Sequence, residues 1–233
     1  MPTKPYTDGH EDSFTGGQDM SASDNNREQL KQHIRDNHTS VYLTIVSIIV
    51  ALALGDLVTQ VREIYKAGGA EVSYVLLWIQ IIGAFSVAFN VWVGYCHIFI
   101  TVSWILGIWD ALSVMLLLIV LYLINTTVGA ENTAWWLGAM SIIFLAGGSI
   151  LYVNLHRARV EEGVINDALP EPTSWPFIFM MTVGSMSLLF SFLVFAEIVS
   201  AFTEVVFASL TTLAAAYWSF LWVKTWRKSV GIF

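Results

Sequence analysis

One carboxylate, Asp110, stands inside the apolar stretch SWILGIWDALSVMLLLIVLYLI at residues 103–124. An ionised side chain near a bilayer centre costs about 2.5–3.5 kcal/mol on insertion scales, so it normally faces protein or a water-filled cavity. Ser103, Gly107, Asp110 and Ser113 share one face of a helix, because they follow one another at steps of four, three and three. We therefore expect Asp110 to face inward as a titratable or cation-binding group, with Ser103 and Ser113 beside it.

A second polar stripe runs along the apolar segment that precedes this one. Its members recur at helical spacing and include two amides: Gln80, Gly83, Val87, Asn90, Gly94 and His97. Lipid-facing positions have no use for Gln or Asn, so this face is predicted to be buried. The stripe allows two interpretations. Small residues and amides hold helices together, each interhelical bond contributing about 0.6–2 kcal/mol, or Gln80 and Asn90 orient a solute in a polar pathway with Asp110.

Three acidic residues, Asp56, Glu197 and Glu204, lie near the predicted outer ends of apolar segments. A pore mouth that concentrates cations carries such a surplus of acids. A solvated loop surface carries it as well, and the depth of Asp56 and Glu197 in the membrane separates the two interpretations.

The composition shows which elements must position these side chains. The chain has 233 residues, of which 56% are hydrophobic and 12% are charged, whereas soluble domains have about a quarter charged residues. Helical runs of about 20 apolar residues match the hydrocarbon core of a bilayer, and these runs are too continuous for barrel strands. The sequence therefore predicts an all-α membrane protein, a bundle of six transmembrane helices at residues 41–59, 74–95, 98–124, 134–155, 175–197 and 205–226.

The polar and apolar blocks divide the chain into three parts. Residues 1–38 form a polar cytoplasmic tail, predicted to be disordered to residue 26 and to contain a short surface helix at 27–37. Residues 39–228 form the transmembrane domain, and residues 229–233 form a short C-terminus. Only Cys96 and His97 separate the second predicted span from the third, so a tight hairpin is expected there, with one bent element as the alternative.

The basic residues predict the orientation of the bundle. Most lie on one side if the chain crosses six times, and Arg62 and Lys66 lie on the other. By the positive-inside rule both termini are cytoplasmic. The expected location is the plasma or inner membrane, as a multi-pass protein. Tryptophans near segment ends are typical of the aromatic belts at membrane interfaces; they are Trp135, Trp136, Trp175, Trp222 and Trp226.

Enzyme motifs are missing from the sequence. It contains neither GxSxG nor HExxH, so we predict no enzymatic activity, no cofactor and no metal site. His97 and His156 fall at the same predicted membrane edge, which leaves a haem or metal protein as a third interpretation. A net charge of −7 argues against a nucleic acid partner.

Two functions follow from these features. The first is a channel or transporter that moves a small ion, a proton or a small solute along a polar seam around Asp110. The alternative is a non-catalytic structural or assembly subunit of a larger membrane complex, in which Asp110 pairs across a helix interface, within the bundle or with a partner protein. The expected partners are the lipid bilayer and either a homo-oligomer or a larger membrane complex.

Overall fold

The computed structural model describes residues 16–67, 71–101, 108–161 and 175–230. Regular structure in these ranges is entirely helical, because backbone groups within a bilayer must bond within their own segment. The elements are α1 (Gly16–Ala67), α2 (Glu71–Thr101), α3 (Ile108–Thr126), a 3-10 turn (Ala130–Asn132), α4 (Thr133–Glu161), α5 (Trp175–Phe195) and α6 (Ala201–Val230).

Six helices in the described ranges are long and apolar enough to cross a membrane. Their spans are Ser40–Glu63, Tyr74–Ile98, Trp109–Thr126, Thr133–Asn154, Trp175–Phe195 and Ala201–Lys224. The predicted all-α bundle of six transmembrane helices is confirmed, and the chain is a multi-pass membrane protein.

The ends of three elements differ from the prediction. The hairpin expected at Cys96 and His97 is wrong, because α2 continues through both residues to Thr101. Neither Pro nor Gly interrupts this stretch, so nothing in the sequence ends the helix there. At the N-terminus α1 already begins at Gly16, so residues 16–26 are helical where disorder was expected; extending a formed helix needs no new nucleus. Helix α5 ends at Phe195, two residues early.

Small residues set the closest helix pairs, as their spacing predicted. Helices α4 and α5 pack antiparallel: a Cβ on Gly184 would lie 2.7 Å from Cγ of Leu145, and the Ser191 hydroxyl donates to the Ala134 carbonyl at 2.7 Å. Helices α2 and α6 run parallel. Their hydroxyl bonds recur at a constant offset, from Thr212 to Ile79 O at 3.0 Å and from Ser219 to Ser86 O at 3.4 Å.

The bundle therefore has two distinct ends. We call the end that holds the connection between α3 and α4 the loop end. The opposite end, where α2, α4 and α6 finish, is the terminal end. Helices α2 and α4 lie at the centre of the bundle, while α1 and α5 expose most of their surface. That exposed surface is apolar, as contact with lipid requires.

Two of the five tryptophans assigned to the aromatic belt are buried inside the bundle. Trp135 and Trp175 are exposed near the starts of α4 and α5, as a belt requires, but Trp136 and Trp222 are buried. Their positions near segment ends did not distinguish them from the exposed pair, because neighbouring residues on a helix face different directions. The side chain of Trp226 lies outside the described residues.

Candidate functional site

Gln80 is fully buried and joins α2 to the connection between α3 and α4. Its Oε1 accepts a hydrogen bond from the Gly129 amide at 2.8 Å, and its Nε2 lies 3.5 Å from both the Gly129 carbonyl and the Thr133 hydroxyl. The side chain thus closes the turn that carries the chain from α3 into α4. The prediction that Gln80 faces inward is confirmed, while its role in a pathway stays a prediction.

Asn90 lies near the middle of α2 and is 8% exposed. Its Nδ2 donates to the Ala215 carbonyl of α6 at 2.9 Å. Its Oδ1 is buried and accepts no hydrogen bond from the part of the chain that the structure describes. Asn90 therefore ties two helices together with one half of its amide and keeps an unused acceptor in the other half.

Asp110 is buried, as predicted, but it lies in the first turn of α3 and not in mid-membrane. Its partner on α4, Arg157, follows the end of the α4 span Thr133–Asn154, so Asp110 belongs to the terminal end. Nη1 of Arg157 on α4 lies 3.4 Å from its Oδ1. The buried carboxylate thus has a cationic partner, which was not predicted from the sequence.

Ser113 connects the first turn of α3 to α2. Its hydroxyl donates to the Asp110 carbonyl at 2.7 Å and lies 3.3 Å from the hydroxyl of Tyr95. The pattern of residue types gave no signal for Tyr95, because it stands one residue beyond Gly94 and outside the predicted stripe. Ser103, the remaining predicted pathway residue, lies outside the described residues.

The loop half of the bundle is closed by tight packing. A Cβ on Gly83 would fall 2.6 Å from Oγ1 of Thr212 and 2.7 Å from Cζ2 of Trp136. The hydroxyls of Ser187 and Thr211 meet at 3.2 Å between α5 and α6. These contacts separate Gln80 from Asn90 along α2, and they leave no room for a solute beside Gly83.

A cavity of about 80 Å³ lies in the terminal half instead. Helices α2, α4 and α6 form most of its wall, and α3 and α5 each contribute one residue. Asn90 and Tyr95 bring the polar groups. The rest of the wall is mainly aliphatic and aromatic, as at Val87, Leu117, Ile143, Phe144, Met180 and Trp218.

The three acids predicted for an outer mouth all lie towards the loop end. Asp56 is half-buried and accepts a 3.4 Å hydrogen bond from Gln60 one turn later. Glu204 is half-buried in the first turn of α6, and Glu197 is exposed after the end of α5. Their role as a pore mouth that concentrates cations stays a prediction.

The two histidines considered as haem or metal ligands have different surroundings. His97 is buried with its ring 5.5 Å from that of Trp222, while His156 is exposed and stacks on Tyr152 at 6.1 Å. Among the described residues, no group of three His, Cys, Asp or Glu side chains has the geometry of a metal site.

Comparison with known proteins identifies no relative of this chain. No protein-family model, curated sequence or solved structure matches the chain. Chemically, the site has one buried acceptor beside an apolar cavity and an ion pair at the adjoining end of the bundle. Such an arrangement can bind and enclose a small molecule.

Proposed function

We propose that this protein transports a small uncharged solute, which binds in the cavity of the terminal half. The asymmetry of the bundle carries the proposal. Gly83, Trp136 and Thr212 fill the interior of the loop half, whereas the same three helices line a half-open cavity in the terminal half. A binding site closed on one side and adjoining the other is the arrangement that alternating access requires.

The wall chemistry favours an uncharged solute over an ion or a proton. Tyr95 is the only titratable side chain among the described residues that line the cavity. An ion entering it would exchange its hydration shell for aliphatic and aromatic groups, which costs many kcal/mol. Asp110 is outside that lining and faces Arg157. Of the three transported species predicted from the sequence, a small solute is therefore better supported than an ion or a proton.

In this proposal the ion pair of Asp110 and Arg157 controls the terminal end. It links α3 to α4 at that end, and Ser113, which bonds to the backbone of Asp110, contacts Tyr95 in the cavity wall. Opening the end towards the cavity requires α3 and α4 to separate, which breaks the pair. Asp110 thus acts as part of a gate, in place of the cation-binding role expected from its position in the sequence.

Osmotic shrinkage of proteoliposomes tests this function. Vesicles with and without protein are mixed with N-methylacetamide, N-methylformamide or 2-methoxyethanol, small uncharged solutes that each have one hydrogen-bond donor, and the recovery of volume is followed by light scattering. We expect faster recovery with wild-type protein for at least one solute, and potassium and proton fluxes equal to those of empty vesicles. Leu117→Phe fills part of the cavity and is expected to abolish the gain. Leu112→Phe, the same change on the exposed face of α3, is expected to retain it.

Solute recovery at the protein-free rate in every case would overturn the transport proposal. So would a gain that Leu117→Phe leaves unchanged, because the solute would then bypass the cavity. A potassium or proton flux above the empty-vesicle rate that Asp110→Asn removes would restore the ion pathway in its place.

A structural subunit is the second candidate, and two observations favour it. Gln80, Asn90 and Asp110 each join separate elements by a hydrogen bond or ion pair, as packing residues do. One face of α1 is also exposed although it carries small residues, which permit close helix approach; they are Thr44, Ser47, Ala51 and Gly55. Native mass spectrometry after extraction into lipid nanodiscs tests this candidate. A second chain, or a second copy, in fixed stoichiometry would favour it, and a monomer would count against it.

A further inference from the structure

We infer that the cavity binds a molecule with a short apolar body and a single hydrogen-bond donor, for which a small primary alcohol is the simplest example. The donor bonds to Oδ1 of Asn90. This names the substrate class of the proposed transport site and rests on that function for its physiological meaning. Binding itself does not require transport, so the two can be tested separately.

The amide of Asn90 determines the polarity of the ligand. Its Nδ2 already donates to Ala215, so the group left for a ligand is Oδ1, which only accepts. Leaving a buried acceptor without a partner costs free energy, and a donor from the ligand would recover it. A ligand with an acceptor alone, such as an ether, would gain nothing at this position.

The wall fits the two commonest occupants of a polar gap poorly. A buried water typically makes about three hydrogen bonds, whereas apart from Asn90, the Tyr95 hydroxyl and two indoles the side chains of the wall are apolar, as at Val87, Leu117 and Phe144. A lipid acyl chain matches the wall but has no donor for Oδ1. The remaining solution is a molecule that is apolar except for one hydroxyl or N–H group.

The volume is sufficient for a small ligand. One water needs about 10–15 Å³ of the space that is open to the centre of a water-sized sphere, and the cavity offers about 80 Å³ by that measure, which is room for a molecule of a few non-hydrogen atoms. Trp218 and Trp222 belong to the wall, which brings any occupant into contact with an indole ring. A ligand that contains a bromine atom will therefore quench tryptophan fluorescence when it binds.

Two probes of nearly equal shape test the inference. 2-Bromoethanol and 1-bromopropane each have four non-hydrogen atoms, and both quench indole fluorescence through bromine. Only the alcohol can donate a hydrogen bond. Protein in lipid nanodiscs is titrated with each probe, and concentrations are corrected for the measured partition into the lipid. Exposed tryptophans contribute quenching that rises without limit, whereas the cavity contributes a saturable component. We expect 2-bromoethanol to bind about tenfold more tightly than 1-bromopropane, the effect of about one hydrogen bond.

Three variants locate the binding. Asn90→Leu is expected to remove the preference for the alcohol, and Leu117→Phe to remove saturable quenching by both probes. Asn125→Leu is the matched control for lost packing, because Nδ2 of Asn125 also donates to a carbonyl of another helix, that of Ala53 at 2.7 Å, away from the cavity. It should retain the preference. Thermal unfolding of each variant establishes that it is folded.

Equal affinities for the two probes in wild-type protein would overturn the inference, and this comparison needs no variant to fold. So would a preference that survives Asn90→Leu, or the absence of any saturable component. Saturable, Asn90-dependent binding together with protein-free rates of solute recovery would uphold the inference and overturn the transport proposal. Facilitated solute movement without a preference for the alcohol would do the reverse.

Discussion

Trp136 lies so close to Gly83 that a Cβ added to the glycine would fall 2.7 Å from Cζ2 of the indole. The indole ring is fully buried, and Thr212 of α6 contacts the same position from the other side. Three helices thus meet at a residue without a side chain, which closes the loop half. The cavity lies on the terminal side of this contact, so in the proposed function a solute enters from the terminal end.

Gly83→Ala should destabilise the protein. The added methyl group must displace the indole or the Thr212 hydroxyl, and overpacking of this kind costs about 1–3 kcal/mol. Gly55→Ala is the matched control, because a Cβ on Gly55 would meet nothing within 4 Å. It should be neutral or stabilising by up to about 1 kcal/mol. Unfolding by SDS in mixed micelles measures both, and equal effects of the two changes would contradict the close contact.

The ion pair of Asp110 and Arg157 should contribute a measurable coupling energy. Asp110 is almost fully buried while the Arg157 side chain is 31% exposed, so the loss on Asp110→Asn should fall between exposed and buried pairs, at about 1–3 kcal/mol. A double-mutant cycle with Arg157→Gln measures the coupling by SDS unfolding. Additive losses would show that the two charges do not interact.

Gln80→Met should loosen the connection between α3 and α4. The methionine has a similar shape but leaves the Gly129 amide without its 2.8 Å acceptor, which costs about 1–3 kcal/mol. Hydrogen exchange at Gly129 should accelerate in proportion. Gln60→Met serves as the control, since Gln60 bonds only within α1, at 3.4 Å to Asp56, and leaves its Oε1 unpaired among the described residues. If Gly129 exchanges at the wild-type rate in Gln80→Met, Gln80 does not hold the turn.

Glu197→Gly should stabilise the end of α5. Glu197 has φ of 54°, a left-handed conformation that disfavours residues with a Cβ, and the Ile198 amide bonds back to the Leu193 carbonyl at 3.3 Å. Glycine removes the strain, for an expected net gain of about 0.5–1 kcal/mol in the free energy of unfolding after its own entropy cost. Glu197→Ala removes the charge and keeps the Cβ, so it should show no such gain. An equal gain in both variants would assign the effect to the charge.

The helices could be predicted from the sequence because the bilayer imposes a length and an apolar composition on every span. Their ends were harder, because an apolar helix can continue past the hydrocarbon without any change in residue type. This is why α2 passes through His97, where the pattern indicated a turn. The same uncertainty moved Asp110 from the predicted middle of a span to the end of the observed one.

Helical spacing correctly indicated which polar residues are buried, but not what they contact. Gln80 and Asn90 occupy one stripe, yet one bonds to a loop and the other to α6. These partners lie 49 and 125 residues away along the chain, and periodicity holds no information about them. The cavity was equally hidden, since its walls are ordinary apolar residues that come together only through the packing of five helices.

Thiol labelling on α4 tests the asymmetry of the bundle most directly. In a background without the native cysteine, Cys96→Ser, single cysteines are placed by Ile143→Cys in the cavity wall or by Leu137→Cys in the closed loop half. Both positions are buried and lie about 9 Å apart along the helix. Methyl methanethiosulfonate, which is small and uncharged, should modify position 143 about tenfold faster or more, since position 137 requires in addition that the packing of the loop half opens. Equal rates in the folded protein, or faster labelling at 137, would contradict a cavity confined to the terminal half.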